Sequence, residues 1–238
     1  MSIKLIRPYY EEVQFKNFPN LDQDLIKHFD YIYHSYFPFP YSPRFLYSSG
    51  IKFTIRDIYY YIDLLYDNNP TSVIDIGCGE CMWKEWFPNI TGVDYHMNPW
   101  SRVDIVAEVD RPWLRDHYKN YDCGMALNSY WQEHTWQELP DVLHEMMGMV
   151  NDRFLFTGPL PRIKNRPGAH LSTEENHESL VEHFTDLLNS LGYNIVLLDY
   201  PSHRGVPDWK VPWHDTTPFM SPPHGNARFI LEHKKTNG

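Results

Sequence analysis

The sequence predicts an α/β fold: a mostly parallel, seven-stranded sheet wound on both faces by helices. Three observations predict it. From residue 71 onward short apolar segments alternate with helical periodicities, the grammar of repeated strand–helix units. The first of these segments, Ser72-Val73-Ile74-Asp75-Ile76, reads as a short buried strand, and a glycine-bearing turn follows it directly. No internal repeat or low-complexity tract interrupts the pattern.

Residues 1–70 precede that pattern and differ from it in composition. They hold 18 of the 38 aromatic residues but none of the tryptophans. Two helices are predicted here. One spans about 22–36, with Leu25, Phe29, Ile32 and Tyr36 at helical spacing; the other spans about 54–66, with Ile55, Ile58, Ile62 and Leu65. Between them, Phe37-Pro38-Phe39-Pro40-Tyr41-Ser42-Pro43 cannot be regular helix, because each proline removes a donor and constrains its predecessor. The expectation is an aromatic-rich, helical N-terminal cap over 1–70 and an α/β domain over 71–238. The cap serves either as a layer sealing the core or as a lid over a ligand.

In the α/β region, Gly77-Cys78-Gly79 turns the first strand into a helical stretch through Phe87. Asn89 to Asp94 is the second strand, Val103 to Val106 the third, Tyr121 to Asn128 the fourth and Arg153 to Thr157 the fifth. A helix joins the last two, restarting at Pro140, where proline suits a first turn. Ser172 and Glu175 form a capping box before a helix carrying Leu180, Phe184, Leu187, Leu188 and Leu191 on one stripe, and Gly192 closes it. Residues 194–198 and 227–231 are the two final strands. The connection over 201–225 holds six of the 19 prolines with Trp209, Trp213 and three histidines. Connections of that length are often binding loops or lids.

Composition excludes several classes. A formal charge of −10 and a pI of about 5.7 leave a positive surface for nucleic acid only as a local patch. No apolar run approaches the roughly 20 residues that span a bilayer, so no membrane role is expected. Three cysteines make no disulfide framework, and the expectation is a cytoplasmic, reducing compartment.

The chemistry concentrates around Asp75-Ile76-Gly77-Cys78-Gly79-Glu80. Glycines at a strand–helix turn let the backbone bend tightly and approach a ligand at the carboxyl edge of the sheet. A dinucleotide fingerprint would need a third glycine where this chain has Met82, which disfavours pyrophosphate. The next strand ends in Gly92-Val93-Asp94, and a carboxylate there can accept hydrogen bonds from both hydroxyls of an adenosine ribose. Cys78-Gly79-Glu80-Cys81 also permits a dithiol redox reading, because a helix N-terminus lowers a thiol pKa. His203, His214, Asp215 and His224 fit no compact ligand motif, and no metal site is expected in the protein.

At these residues the chain resembles the class I S-adenosylmethionine-dependent methyltransferases. Val73 through Glu80 is similar to their nucleotide-binding loop, and Asp94 resembles the acidic end of their second strand. Asp104 through Val109 looks like the segment that runs along the adenine, and Tyr121 through His134 like the fourth strand and following loop. The resemblance implies a Rossmann-like doubly wound sheet whose last strand is antiparallel, and S-adenosyl-L-methionine as cofactor. It further implies that Gly77, Cys78 and Gly79 meet the methionine part and that Asp75 anchors the loop or the amino group. Asp94 would then hold the ribose, Glu108 and Val109 flank the adenine, with Asp110 as a competitor, and Asn128 open towards the cofactor. Cys81 stands where the family often has a small residue.

Methyl transfer asks for in-line geometry, desolvation and sometimes a base. Glu133 and His134 are the candidate bases and Tyr130 a candidate substrate contact. No amino-methylating nucleic-acid signature follows Leu127, which with the negative charge argues against DNA, and a small or medium-sized acceptor is expected beneath a cover made by the N-terminal aromatic segment and 201–225. Arg162, Lys164 and Arg166 could meet an anionic group on it. The alternatives are a non-catalytic binding protein of the same fold and the dithiol redox protein.

Overall fold

The structure, a computed structural model, describes residues 15–19, 21, 59–79, 81–97, 101–127, 129–159, 174–199 and 226–234. The predicted helix over 22–36, the Phe37–Tyr47 stretch, Asn128, the basic loop of Arg162, Lys164 and Arg166, the cap residue Ser172 and the insertion 201–225 lie outside them.

Residues 59–65 form helix α1, ending in a 3-10 turn at Tyr66–Asn68. There follow β1 (Val73–Ile76), β2 (Ile90–Asp94), β3 (Ile105–Val106), α2 (Arg111–Asp116), β4 (Tyr121–Leu127), α3 (Leu139–Gly148), β5 (Val150–Pro159), α4 (Glu174–Ser190), β6 (Asn194–Asp199) and β7 (Asn226–Glu232). The seven strands make one sheet in the order β3-β2-β1-β4-β5-β7-β6. β1 pairs in parallel with β2 on one side, Val73 opposite Ile90 and Ile76 opposite Val93, and with β4 on the other. β7 runs antiparallel to both β5 and β6. This is the Rossmann-like, doubly wound arrangement with a reversed last strand that the sequence implied. The order reverses direction between β1 and β4, which opens a crevice at the carboxyl ends of those strands.

Alternation along the strands divides the core between the two faces. On β1, Ile74 and Ile76 join the cluster under α3 and α4, whereas Val73 faces the layer that contains α1. The first cluster is centred on buried aromatics. Phe156 stacks between Phe154 and Phe229, at 4.5 and 4.7 Å between ring centroids, and Trp131 donates from its indole to the Thr157 carbonyl. Each such ring contributes about 1.5–3 kcal/mol by leaving water. On the opposite face Tyr59, Ile62, Leu65 and Tyr66 of the α1 segment pack with Cys123, Leu155 and Ile230. The buried Asp63 carboxylate ties residues 16–18 to this layer by accepting from the backbone N–H groups of Lys16, Asn17 and Phe18.

Four predicted features change. The helical stretch expected from Gly79 to Phe87 is only a 3-10 turn, Met82–Glu85. Cys81 holds a left-handed conformation (φ 50°), and Pro88 closes the short span before β2, leaving no room for regular helix. Aromatic side chains fill the space instead: Tyr59 meets Trp83, Trp86 and Phe87 at 5.1, 5.4 and 5.9 Å. The third strand shrinks to Ile105–Val106, because the Asp104 carboxylate turns back to accept the Gly92 N–H at 2.7 Å and pairs with Lys84. The fifth strand extends to Val150–Pro159, because it pairs with β4 on one side and β7 on the other. Helix α2 was not anticipated; Asp110 caps it by accepting the Trp113 N–H at 2.8 Å, and Pro112 sits in its first turn. Among the described residues no helix is long and apolar enough to cross a membrane.

Candidate functional site

The loop after β1 is held by its neighbours on both sides. The N–H groups of Gly77 and Cys78 both donate to the Val93 carbonyl of β2, at 2.8 and 3.1 Å. On the β4 side, Ser129 donates from Oγ to the Ile76 carbonyl at 2.5 Å. Gly77 has φ of 68°, and a side chain there would place its Cβ 2.4 Å from the Ser129 Cβ. Glycine at 77 is thus required twice, by conformation and by close approach. Gly79 differs. It too is left-handed, with φ of 54°, but among the described residues a Cβ there would meet nothing within 4 Å. One glycine closes the loop against the protein, and the other faces open space.

Asp94 stands at the end of β2 beside that space and is mostly buried. Its Oδ2 accepts the Gly79 N–H at 2.9 Å and its Oδ1 the His96 N–H at 3.1 Å. A carboxylate offers about four acceptor positions, so each oxygen keeps capacity for another donor. Beyond it, Tyr95, Met97 and Val106 leave large apolar side chains exposed at the carboxyl ends of β2 and β3, Tyr95 at 79%. Glu108 is exposed on the segment after β3, whereas Val109 packs against the α3–α4 core cluster. Asp110 is committed to capping α2.

Asp75 is fully buried, and among the described residues neither carboxylate oxygen has a hydrogen-bond partner. Burial foremost, then the nearby Asp94 charge, push its carboxyl up to about 8, with Lys84 acting in the opposite direction. The Cys78 and Cys81 side chains are buried with it. The hydrogen bond with Cys81 foremost, then burial and the Asp75 charge, push the Cys78 thiol up. A dithiol nucleophile needs the opposite direction and a helix N-terminus, and here a single 3-10 turn follows the cysteines.

After β4, a 3-10 turn at Tyr130–Glu133 carries the candidate catalytic residues. Tyr130 and His134 meet edge to face at 4.7 Å. The His134 Nδ1 lies 4.0 Å from the Glu138 carboxylate, and its Nε2 is buried with no partner among the described residues. Burial foremost, then the charges of Glu145 and Asp110, raise the Tyr130 hydroxyl pKa. Glu133 and Glu138 are both exposed, and the carboxylate that lies 4.0 Å from His134 is that of Glu138, which sequence reasoning missed. An i, i+4 spacing on a turn leading into α3 was the available signal.

No protein-family model and no curated protein sequence matches the chain. Solved structures of similar arrangement do. A SAM-dependent methyltransferase from Archaeoglobus fulgidus aligns at a TM-score of 0.47 and 13% identity, covering 75% of this chain and 93% of that one. The 1,6-didemethyltoxoflavin-N1-methyltransferase of Burkholderia thailandensis, with bound 1,6-didemethyltoxoflavin and S-adenosylhomocysteine, aligns at 0.45 and 13% identity, covering 90% of each. Magnesium protoporphyrin IX methyltransferase from Synechocystis PCC 6803, with bound SAH, aligns at 0.49 and 11% identity, covering 90% of this chain and 99% of that one. The assignment of fold rests on the strand order and pairing above.

Proposed function

We propose that the protein is an S-adenosylmethionine-dependent methyltransferase acting on a small molecule. The observation that carries this reading is the join between Gly79 and Asp94 at the crevice beside β1. It sets an open-faced glycine next to a carboxylate with spare acceptor capacity. A nucleoside with vicinal hydroxyls needs such a carboxylate, and its base needs an apolar surface like that of Tyr95, Met97 and Val106. The residues present therefore fit the cofactor that the loop's resemblance implies.

When bound, the cofactor supplies a methyl group already activated on a sulfonium. The protein's own work is binding, orientation and exclusion of water. Asp94 holds the ribose hydroxyls, and the Gly77–Gly79 backbone, fixed by Val93 and Ser129, keeps that carboxylate in place. His134 is the group suited to accept a proton from the substrate. Among the described residues its Nε2 has no partner, and its ring packs edge to face on Tyr130 with the Glu138 carboxylate 4.0 Å from Nδ1. In this reading residues 1–70 form a cap, Phe37–Tyr47 and 201–225 cover the substrate, and the Arg162–Arg166 loop meets an anionic group on it.

Calorimetry with S-adenosylmethionine and S-adenosylhomocysteine, with NAD as control, tests the proposal. Both sulfur nucleotides should bind and NAD should not. Asp94→Ala should lose about 1.5–3 kcal/mol of binding, as for hydrogen bonds to a charged group, which is roughly tenfold or more in Kd. Circular dichroism should remain unchanged. Binding of neither nucleotide would favour a non-catalytic protein of the same fold, and full affinity in a folded Asp94→Ala variant would move the site elsewhere.

A further inference from the structure

Asp75, Cys78 and Cys81 each bring one potential ligand atom to a common point. These three atoms all lie within 4.8 Å of one another, and all three residues are buried. Two local features produce the convergence. The left-handed backbone at Cys81 (φ 50°) brings its side chain round to that of Cys78. Gly92 of β2 makes the room, since a Cβ there would sit 2.6 Å from the Cys81 sulfur and 2.8 Å from that of Cys78. A non-glycine residue in this conformation costs about 1–2 kcal/mol, so the arrangement is held against a local preference.

The Asp75 carboxylate points to a ligand independently of the sulfurs. It is fully buried, and both oxygens lack a hydrogen-bond partner among the described residues. Buried polar side chains almost always have partners, and an unpartnered one calls for an explanation such as an ion. A Cys78–Cys81 disulfide would engage both sulfurs and leave the carboxylate alone. A divalent cation would engage all three. Two thiolates and a carboxylate match zinc, a borderline-soft ion that takes sulfur and carboxylate oxygen in tetrahedral geometry.

We propose that Asp75, Cys78 and Cys81 form a zinc site beneath the loop after β1, with a water molecule as fourth ligand. Two thiolates and one carboxylate carry three negative charges against the two positive charges of the ion. The ion would clamp the loop to the floor of β2 on the face opposite Ile74 and Ile76. The site uses Asp75 and Cys78 of the loop that the methyltransferase reading gives to the cofactor, but its test involves no nucleotide.

The full-length protein, kept reduced and free of added chelator, is the material for the test. Elemental analysis should find one zinc per chain. X-ray absorption at the zinc edge should show two sulfurs at about 2.3 Å and oxygen at about 2.0–2.2 Å. After chelation, added cobalt(II) should give the absorption of a tetrahedral thiolate complex. Asp75→Asn and Cys81→Ser should each lower the zinc affinity at least tenfold while circular dichroism stays that of the wild type. The absorption spectrum reads the ligand set on the wild type itself, so a variant that fails to fold does not block the test. Absence of zinc and cobalt binding by the reduced protein overturns the proposal, as does an all-sulfur or sulfur-free shell. Undiminished affinity in Asp75→Asn overturns it too. Because no nucleotide is present, failure here leaves the cofactor reading untouched, and failure to bind nucleotide leaves this one untouched.

Discussion

The two glycines of the loop after β1 should respond to the same substitution in opposite ways. In Gly77→Ala the new methyl lies 2.4 Å from the Ser129 Cβ, at φ of 68°. Carbon atoms in contact prefer about 3.5–4.0 Å, so Ser129 or the loop has to move. The left-handed conformation costs about 1–2 kcal/mol and overpacking about 1–3 kcal/mol. Together these make a loss of roughly 2–5 kcal/mol. For a chain of this size each kcal/mol lowers Tm by about 2–4 °C, so the melting temperature should fall by roughly 4–20 °C. Gly79→Ala bears only the conformational cost, about 1–2 kcal/mol, since its methyl meets nothing within 4 Å among the described residues. That methyl instead enters the space where the proposed ligand lies. Thermal melting by circular dichroism and calorimetry with S-adenosylhomocysteine separate the two effects. Gly77→Ala should lose mainly stability, whereas Gly79→Ala should stay folded and lose about tenfold or more in affinity. Ser129→Gly in the Gly77→Ala background should recover the overpacking part, offset by the lost hydrogen bond to the Ile76 carbonyl, about 0.5–1.5 kcal/mol. Equal melting temperatures for the two alanine variants would refute the reasoning, as would a Ser129→Gly double variant no more stable than Gly77→Ala.

Two further perturbations address the frame around the site. Asp63→Ala removes the acceptor for three backbone N–H groups of residues 16–18 and should cost about 2–3 kcal/mol; limited trypsin digestion should then cut faster at Lys16. Gly124→Ala places a methyl 2.4 Å from the Phe154 ring, which cannot retreat because it stacks on Phe156 at 4.5 Å. The overpacking of about 1–3 kcal/mol outweighs the roughly 0.5–1 kcal/mol that alanine gains over glycine within a strand, so urea denaturation should show a net loss that Phe154→Leu partly restores.

Local pattern determined much of this protein. β1 was legible because Val73, Ile74 and Ile76 form an apolar run bounded by Gly77, and Asp94 because the carboxylate follows directly on the second apolar run. The reversed β7 came with the resemblance that those residues carry. What tertiary structure decided concerns residues whose neighbours are distant in the chain. The helical periodicity after Gly79 lost to the short span before β2, where Trp83 and Trp86 serve the fold better as packing for Tyr59 than as part of a helix. Asp104 ended β3 early because its carboxylate found the Gly92 N–H on the adjacent strand. Glu138 replaced Glu133 as the carboxylate beside His134, since only the turn's direction in space decides which of them faces the ring. Asp75 shows the division most clearly. Its place on β1 is set by sequence, but its burial beside two sulfurs arises because the Cys81 backbone turns left-handed over a glycine on the neighbouring strand. Burial, close approach and charge are properties of pairs of segments, and they exist only once the sheet has brought those segments together.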